Sequence, residues 1–232
     1  MNLLITNDDG WGFDGIETLT EVAREFGDVW VVAPHQPMSG ISHQITFEVP
    51  MSFTERQPRS FSLTGTPADC VRVACTQLDV EFDWVLSGIN NGANLGVDVY
   101  ISGTVAAARE ATFFGHRAIA FSQYLNGFRQ PFEWPLAAKA VKRLLPELFE
   151  SDLGVGEFYN VNLPDTQGQP VDGLEIVSTQ MNRHPLPQNY QPYQSDQIMY
   201  CGRYRERKYE PGTDIDACFN GKISVSRHRP DG

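Results

Sequence analysis

No C-x-x-C pair occurs in the chain, and none of its histidines (His35, His43, His116, His184, His228) stands at metal-binding spacing from another. The four cysteines, Cys70, Cys75, Cys201 and Cys218, therefore offer no zinc site, and 232 residues can bury a core without disulfide staples. Cys70 and Cys75 share one amphipathic segment and read as buried free thiols. Long apolar runs are also missing. Apolar residues make up 41% of the chain, yet no stretch approaches the roughly 18 that a membrane span needs. The opening Met1-Asn2-Leu3-Leu4-Ile5-Thr6-Asn7-Asp8-Asp9 lacks a basic lead and runs into two carboxylates, so it does not read as a signal peptide. The expectation is a soluble, cytoplasmic protein with no membrane contact.

Positive charge is scarce. Eighteen basic against 29 acidic residues give a net charge of −11, which argues against nucleic acid as a partner. The one basic run, Arg203 to Lys208, is broken by Tyr204 and Glu206 and reads as a solvated hairpin face. An anionic ligand entering this field needs a local positive source, and a bound cation or a helix amino terminus can supply it. Familiar phosphate signatures are absent too. Gly88, Gly92 and Gly96 stand four apart, which fits neither the dinucleotide fingerprint nor the P-loop. An aspartate-nucleophile phosphatase needs D-x-D, whereas Asp8 and Asp9 are adjacent.

What is present is an alternation of short apolar runs and helical periodicities. Leu3 to Thr6 reads as a strand, Ile16, Leu19, Val22, Ala23 and Phe26 as a helix stripe, and Val29 to Ala33 as a second strand. Asp14 and Glu17 look like a capping pair, with Gly27 as the helix stop. Ile45 to Val49 and Phe61 to Leu63 are short strand candidates. Thr66-Pro67-Ala68-Asp69 opens a helix with threonine as cap and proline in first position, and Ala68, Val71, Cys75 and Leu78 form its stripe. Phe82 to Leu86 reads as strand, Ser102 to Phe114 as helix, Ala118 to Ser122 as strand, Pro135 to Leu145 as helix and Phe158 to Leu163 as strand. The fold class is α/β: a Rossmann-like three-layer αβα sandwich with a mostly parallel sheet. One domain of 1–232 is expected, its α/β core at 1–165 and an extended C-terminal arm or hairpin with an oligomerisation role at 166–232.

Four loops carry chemistry. Asn7-Asp8-Asp9-Gly10 follows the first strand, where ligands of open parallel sheets bind, and its paired carboxylates are hard ligands for Mg²⁺, Mn²⁺ or Ca²⁺. The same tetrapeptide is equally good turn chemistry. Ser39 and Gly40 follow the second strand, where a serine caps a turn or ligates a metal. The small-residue and carboxamide stretch Ser87 to Asp98, with Asn90 and Asn94, is a long loop at another strand end. Ser102-Gly103-Thr104 starts an alanine-rich helix whose free backbone N–H groups suit a phosphate. His43, four residues past Ser39, reads either as a proton donor to a leaving oxygen or as a structural histidine.

These segments, in this order and spacing, resemble the SurE family of survival-protein nucleotidases: Leu-Leu-Ile-Thr-Asn-Asp-Asp-Gly at 3–10, Val-Ala-Pro with Ser39-Gly40, Gly65 to Val71, Ser87-Gly88-Ile89-Asn90 with Asn94-Leu95-Gly96, and Ser102 to Ala107. The resemblance is dense over 1–122 and weaker at Asn160 to Pro164 and Gly212 to Asp214. It implies a phosphoric monoester hydrolase acting on nucleoside 5′- and 3′-monophosphates, with Asp8, Asp9, Ser39 and Asn90 holding a divalent cation. Gly40, Asn94, Ser102, Gly103 and Thr104 would then receive the phosphate, and Asp8 and Asp9 would be catalytic. It also implies a homodimer or homotetramer built through C-terminal arms. Polyphosphate or a sugar phosphate as substrate, and a nucleotide-binding module without turnover, are the competing readings.

Overall fold

The computed structural model describes residues 1–126, 133–166 and 168–230. Strands β1 (Asn2–Thr6), β2 (Asp28–Pro34), β3 (Phe53–Gln57), β4 (Ser60–Leu63) and β5 (Trp84–Asn91) alternate with helices α1 (Asp14–Ala23) and α2 (Pro67–Gln77). They are followed by α3 (Gly103–Phe113), β6 (Arg117–Gln123), α4 (Trp134–Glu150) and β7 (Phe158–Leu163). The last part holds β8 (Ile176–Thr179), β9 (Tyr190–Gln194), β10 (Gln197–Tyr200), α5 (Asp214–Phe219) and β11 (Ile223–His228). Among the described residues, nine strands form one sheet in the order β3-β4-β2-β1-β5-β6-β7-β11-β8. All pairings within it are parallel except β3 with β4 and β7 with β11. The expected mostly parallel α/β architecture is therefore the observed one.

Burial explains the layering. Leu3, Leu4 and Ile5 are fully buried on both faces of the sheet, as a central parallel strand requires. On one face Ile16 and Leu19 of α1 pack with Val141, Leu144 and Leu145 of α4. On the other, Cys70, Val71 and Ala74 of α2 meet the alanines of α3, whose small side chains let that helix lie close to the sheet. Strand order reverses at β1, which pairs β2 on one side and β5 on the other. A crevice opens at such a reversal, beyond the carboxyl ends of the two strands. No described helix is long and apolar enough to cross a membrane.

Several local expectations change. The Thr66 capping box forms as read, with the hydroxyl accepting from Asp69 N at 3.1 Å and the Asp69 carboxylate accepting from Thr66 N at 2.9 Å. Helix α1 has no side-chain cap, so the Asp14–Glu17 pair is not a capping pair, and Arg24 rather than Gly27 is its C-cap. Residues 45–49 are not a strand. Asp69 captures Thr46 through both backbone N–H (3.1 Å) and hydroxyl (2.6 Å), which replaces ladder pairing with a side-chain clamp. Strand β5 runs to Asn91, five residues past the expected end at Leu86, because β6 continues alongside it through Gln123. Helix α4 runs on past Pro146 to Glu150. Cys70 and Cys218 are buried free thiols, and Cys75 and Cys201 are half-buried.

After residue 165 the chain does two things. Hairpin β9–β10 is exposed along its whole length, while β8 and β11 extend the main sheet and α5 packs against it. The basic run from Arg203 to Lys208 is solvent-exposed as expected, except at one position. Arg207 is 4% exposed, drawn inward by the carboxylate of Asp98.

Gly88 sits at the irregularity in β5–β6 pairing between Ser87 and Asn90. Its φ is +133°, and a Cβ would lie 2.3 Å from the Phe121 carbonyl oxygen. Gly88→Ala should destabilise the fold by about 2–4 kcal/mol, read as a drop in urea midpoint at constant slope.

Candidate active site

The first loop is built by its asparagine. Asn7 Nδ2 donates to Gly10 O (3.0 Å) and Asn7 Oδ1 accepts from Gly10 N (3.1 Å), closing a tight turn. The turn and metal readings of Asn7-Asp8-Asp9-Gly10 are thus compatible: Asn7 makes the turn and the turn presents the acids. Asp8 is 5% exposed, and its Oδ1 accepts from the Thr104 hydroxyl at the start of α3. Asp9 is half-buried and its Oδ2 accepts from Asn91 N at 3.2 Å.

The other loops converge on this turn. Met38 N donates to Asp8 O (2.8 Å), which sets Ser39 and Gly40 beside it. Ser42 N donates to Ile101 O (2.9 Å), tying the far end of that loop to the lead into α3. Asn90 Nδ2 donates to Gly92 O (2.7 Å), and among the described residues no donor reaches its Oδ1. Gly103 packs on the acid itself: a Cβ there would lie 2.8 Å from Asp8 Cβ and 3.0 Å from its Oδ2. Asp8, Asp9, Ser39, Asn90, Gly40, Gly103 and Thr104 are therefore brought together.

The electrostatics ask for a cation. Burial, reinforced by the neighbouring Asp9 charge, pushes the Asp8 carboxyl up to about 6, against the lowering effect of the Thr104 hydrogen bond. Burial also raises Asp9, opposed by the Asn91 amide. Among the described residues neither carboxylate has a basic partner. No group of three or more His, Cys, Asp or Glu gathers among those residues either. A cation here would draw on two carboxylates plus the neutral oxygens of Ser39 and Asn90, a hard-oxygen set suited to Mg²⁺, Mn²⁺ or Ca²⁺.

Three of the expected phosphate contacts have side chains that are otherwise engaged. Asn94 is 7% exposed, its Nδ2 donates to Ser122 Oγ (2.8 Å), and its backbone is gripped by Asn160 and Asn162. Ser102 Oγ accepts from Val105 N at 3.1 Å and caps α3. Thr104 spends its hydroxyl on Asp8. At this helix start, backbone N–H groups are what an incoming phosphate would meet. His43 has partners on both ring nitrogens: Nε2 lies 2.7 Å from Glu110 Oε2, Nδ1 lies 3.3 Å from Arg109, and the ring stacks on Phe113.

The residues that sequence reasoning missed lie behind the site. Asn160 and Asn162 alternate inside the otherwise apolar β7, and two buried carboxamides at period two were the available signal. Asp98 joins Arg207 across 109 positions, a pairing no local pattern announces.

Comparison with known proteins agrees with this geometry. The family described as "Survival protein SurE" matches residues 3–185. A Nostoc sp. protein named "Putative 5'-nucleotidase alr3139" is 42% identical over 229 residues, covering 99% of this chain and all of its own length. The 5′-nucleotidase SurE of Neisseria gonorrhoeae is 40% identical over 231 residues, covering 97% of this chain and 91% of its own. The crystal structure of the SurE protein from Aquifex aeolicus superposes with a TM-score of 0.87 at 30% identity, over 99% of this chain and 93% of that one. Motifs, sheet topology and site converge on one assignment, and this chain belongs to the SurE family.

Proposed function

We propose that this chain is a 5′-nucleotidase, a metal-dependent phosphomonoesterase that converts nucleoside 5′-monophosphates, and 3′-monophosphates, to nucleoside and phosphate. The observation that carries it is the pair of buried Asp8 and half-buried Asp9, both desolvated, without a basic partner among the described residues, and seated at the start of α3. Asp8, Asp9, Ser39 and Asn90 hold a divalent cation, Mg²⁺ or Mn²⁺. When bound, that cation supplies Lewis acidity to a phosphoryl oxygen and lowers the pKa of the attacking water. Thr104 orients Asp8, and Asn91 orients Asp9. The amides of Gly103 and Gly40 receive phosphoryl oxygens, adding to charge stabilisation in the transition state. Asn94 serves the loop rather than the ligand. A phosphate-binding module without turnover is disfavoured, because bare phosphate would be repelled by two adjacent acids.

In a phosphate-release screen with Mn²⁺, nucleoside monophosphates should exceed polyphosphate and sugar phosphates in kcat/KM. EDTA should abolish release and Mn²⁺ or Mg²⁺ should restore it. Full activity in EDTA, with no metal retained, would overturn the reading. The proposal includes a homodimer or homotetramer joined through the exposed β9–β10 hairpin, where Tyr190, Tyr193 and Ile198 are at least 60% exposed.

A further inference from the structure

The turn between β5 and α3 is short of regular support. Residues 92–95 pair with no strand, and 96–100 form a single 3-10 turn before α3 begins. Local bonds such as Asp98 N to Leu95 O (3.2 Å) shape this stretch, and what ties it to the rest of the fold comes from far away in sequence. Arg207, its side chain 1% exposed, donates through Nη1 to Asp98 Oδ2 (2.6 Å) and through Nη2 to Leu95 O (2.9 Å). The Tyr204 hydroxyl donates to the same Asp98 oxygen at 2.8 Å, and the guanidinium lies 4.8 Å over the Tyr204 ring. A second carboxylate, Asp214, accepts from Gly96 N at 2.6 Å.

Asp98 is where this clamp meets the site. Its backbone oxygen accepts from Ser102 N (2.9 Å) and Ile101 N (3.0 Å). Ser102 in turn caps α3, and the residue after next, Thr104, holds Asp8. A buried guanidinium is expensive to desolvate, and removing one partner of such a pair is strongly disruptive. A planar fork serving two acceptors on one turn fixes both its position and its orientation. That matters where displacement by about 1 Å can lower a rate by ~100-fold.

We propose that Arg207 is a positioning residue for phosphate-ester hydrolysis: by gripping Asp98 and the Leu95 carbonyl it fixes the 95–102 turn that seats the start of α3 against Asp8. The inference rests on the nucleotidase reading for its kinetic consequence, and on geometry alone for its structural one.

The test compares Arg207→Met, Arg207→Lys and Tyr204→Phe by two readouts. The first is amide hydrogen exchange of the metal-free full-length chain. Arg207→Met should speed exchange in peptides covering 94–104 by about tenfold or more and leave α4 peptides unchanged, since the clamp is local. The second is steady-state kinetics on a nucleoside 5′-monophosphate with Mn²⁺. Arg207→Met should lower kcat by roughly 10–100-fold with KM within about threefold. Arg207→Lys, which retains the charge but not the fork, should recover part of both effects, and Tyr204→Phe should give a smaller change in the same peptides. If Arg207→Met does not fold, the Lys and Phe variants carry the test. Unchanged exchange at 94–104, or faster exchange spread evenly over the chain with kcat per folded molecule unaltered, would overturn the proposal. A wild-type chain without nucleotidase activity would sink the functional reading, and the exchange result would then judge the clamp by itself.

Discussion

Asp8→Asn is expected to abolish turnover and, at the same time, to raise the melting temperature of the metal-free protein at pH 7.5. Both effects come from one cause. Burial lifts the Asp8 carboxyl from 3.8 to about 6, so the folded state holds its proton more tightly than the unfolded chain does. The stability this group contributes is fully present below pH ~4 and is lost as pH rises through about 6. Above that range the ionised, unpaired carboxylate costs the fold about 3 kcal/mol, taking about 1.4 kcal/mol per pKa unit. Asparagine keeps an oxygen to accept from Thr104 while removing the charge. For a chain of this length the gain corresponds to roughly 6–12 °C. In wild-type protein a divalent cation should supply the same stabilisation by neutralising the pair, so Mn²⁺ should raise its melting temperature and leave that of Asp8→Asn almost unmoved. Thermal scans with EDTA and with Mn²⁺, set beside phosphate release, check all parts. A variant that melts at or below wild type in EDTA, or that still releases phosphate, would show that Asp8 is not a cation ligand held at a strain.

The layered architecture was legible because its signals are local. Leu3 to Ile5, the periodic stripe from Ile16 to Ala23 and the Thr66 box each state their own structure, and the end of β1 is readable, whereas the end of β5 depends on β6 pairing alongside it as far as Gln123. The stretch at 45–49 misled because Thr46 answers to Asp69, a partner 23 positions on, rather than to β-propensity. Asp8, Asp9, Ser39 and Asn90 were legible as oxygen donors. Which side chains are free to meet a ligand was not, since that depends on hydrogen bonds formed across the fold: Asn94 is claimed by Ser122 and Ser102 by Val105. Within the basic run, Arg207 misled for the same reason. Arg207 looks like surface charge until Asp98 is found beside it.

The small residue at the start of α3 should prove as critical as the acids. Gly103 occupies the first helical position after the Ser102 cap, where φ is ordinary and alanine is conformationally at ease. Helix propensity therefore favours Gly103→Ala by up to ~1 kcal/mol. The added methyl, however, meets Asp8 Cβ at 2.8 Å, Asp8 Oδ2 at 3.0 Å and Ile41 Cγ2 at 3.1 Å. Asp8 cannot yield without leaving Thr104, and Ile41 lies on the loop that carries Ser39. Relief must come from moving the acid or the loop, which are the two sides of the proposed cation site. Gly103→Ala should consequently lower kcat by ~100-fold and weaken Mn²⁺ binding in calorimetry, with a melting temperature within a few degrees of wild type. Gly173→Ala is the matched control, because a Cβ there meets nothing within 4 Å. It should leave kcat, Mn²⁺ affinity and melting temperature unchanged. Equal activity in both variants would mean that the start of α3 does not seat Asp8, and that the phosphate is received elsewhere in the crevice.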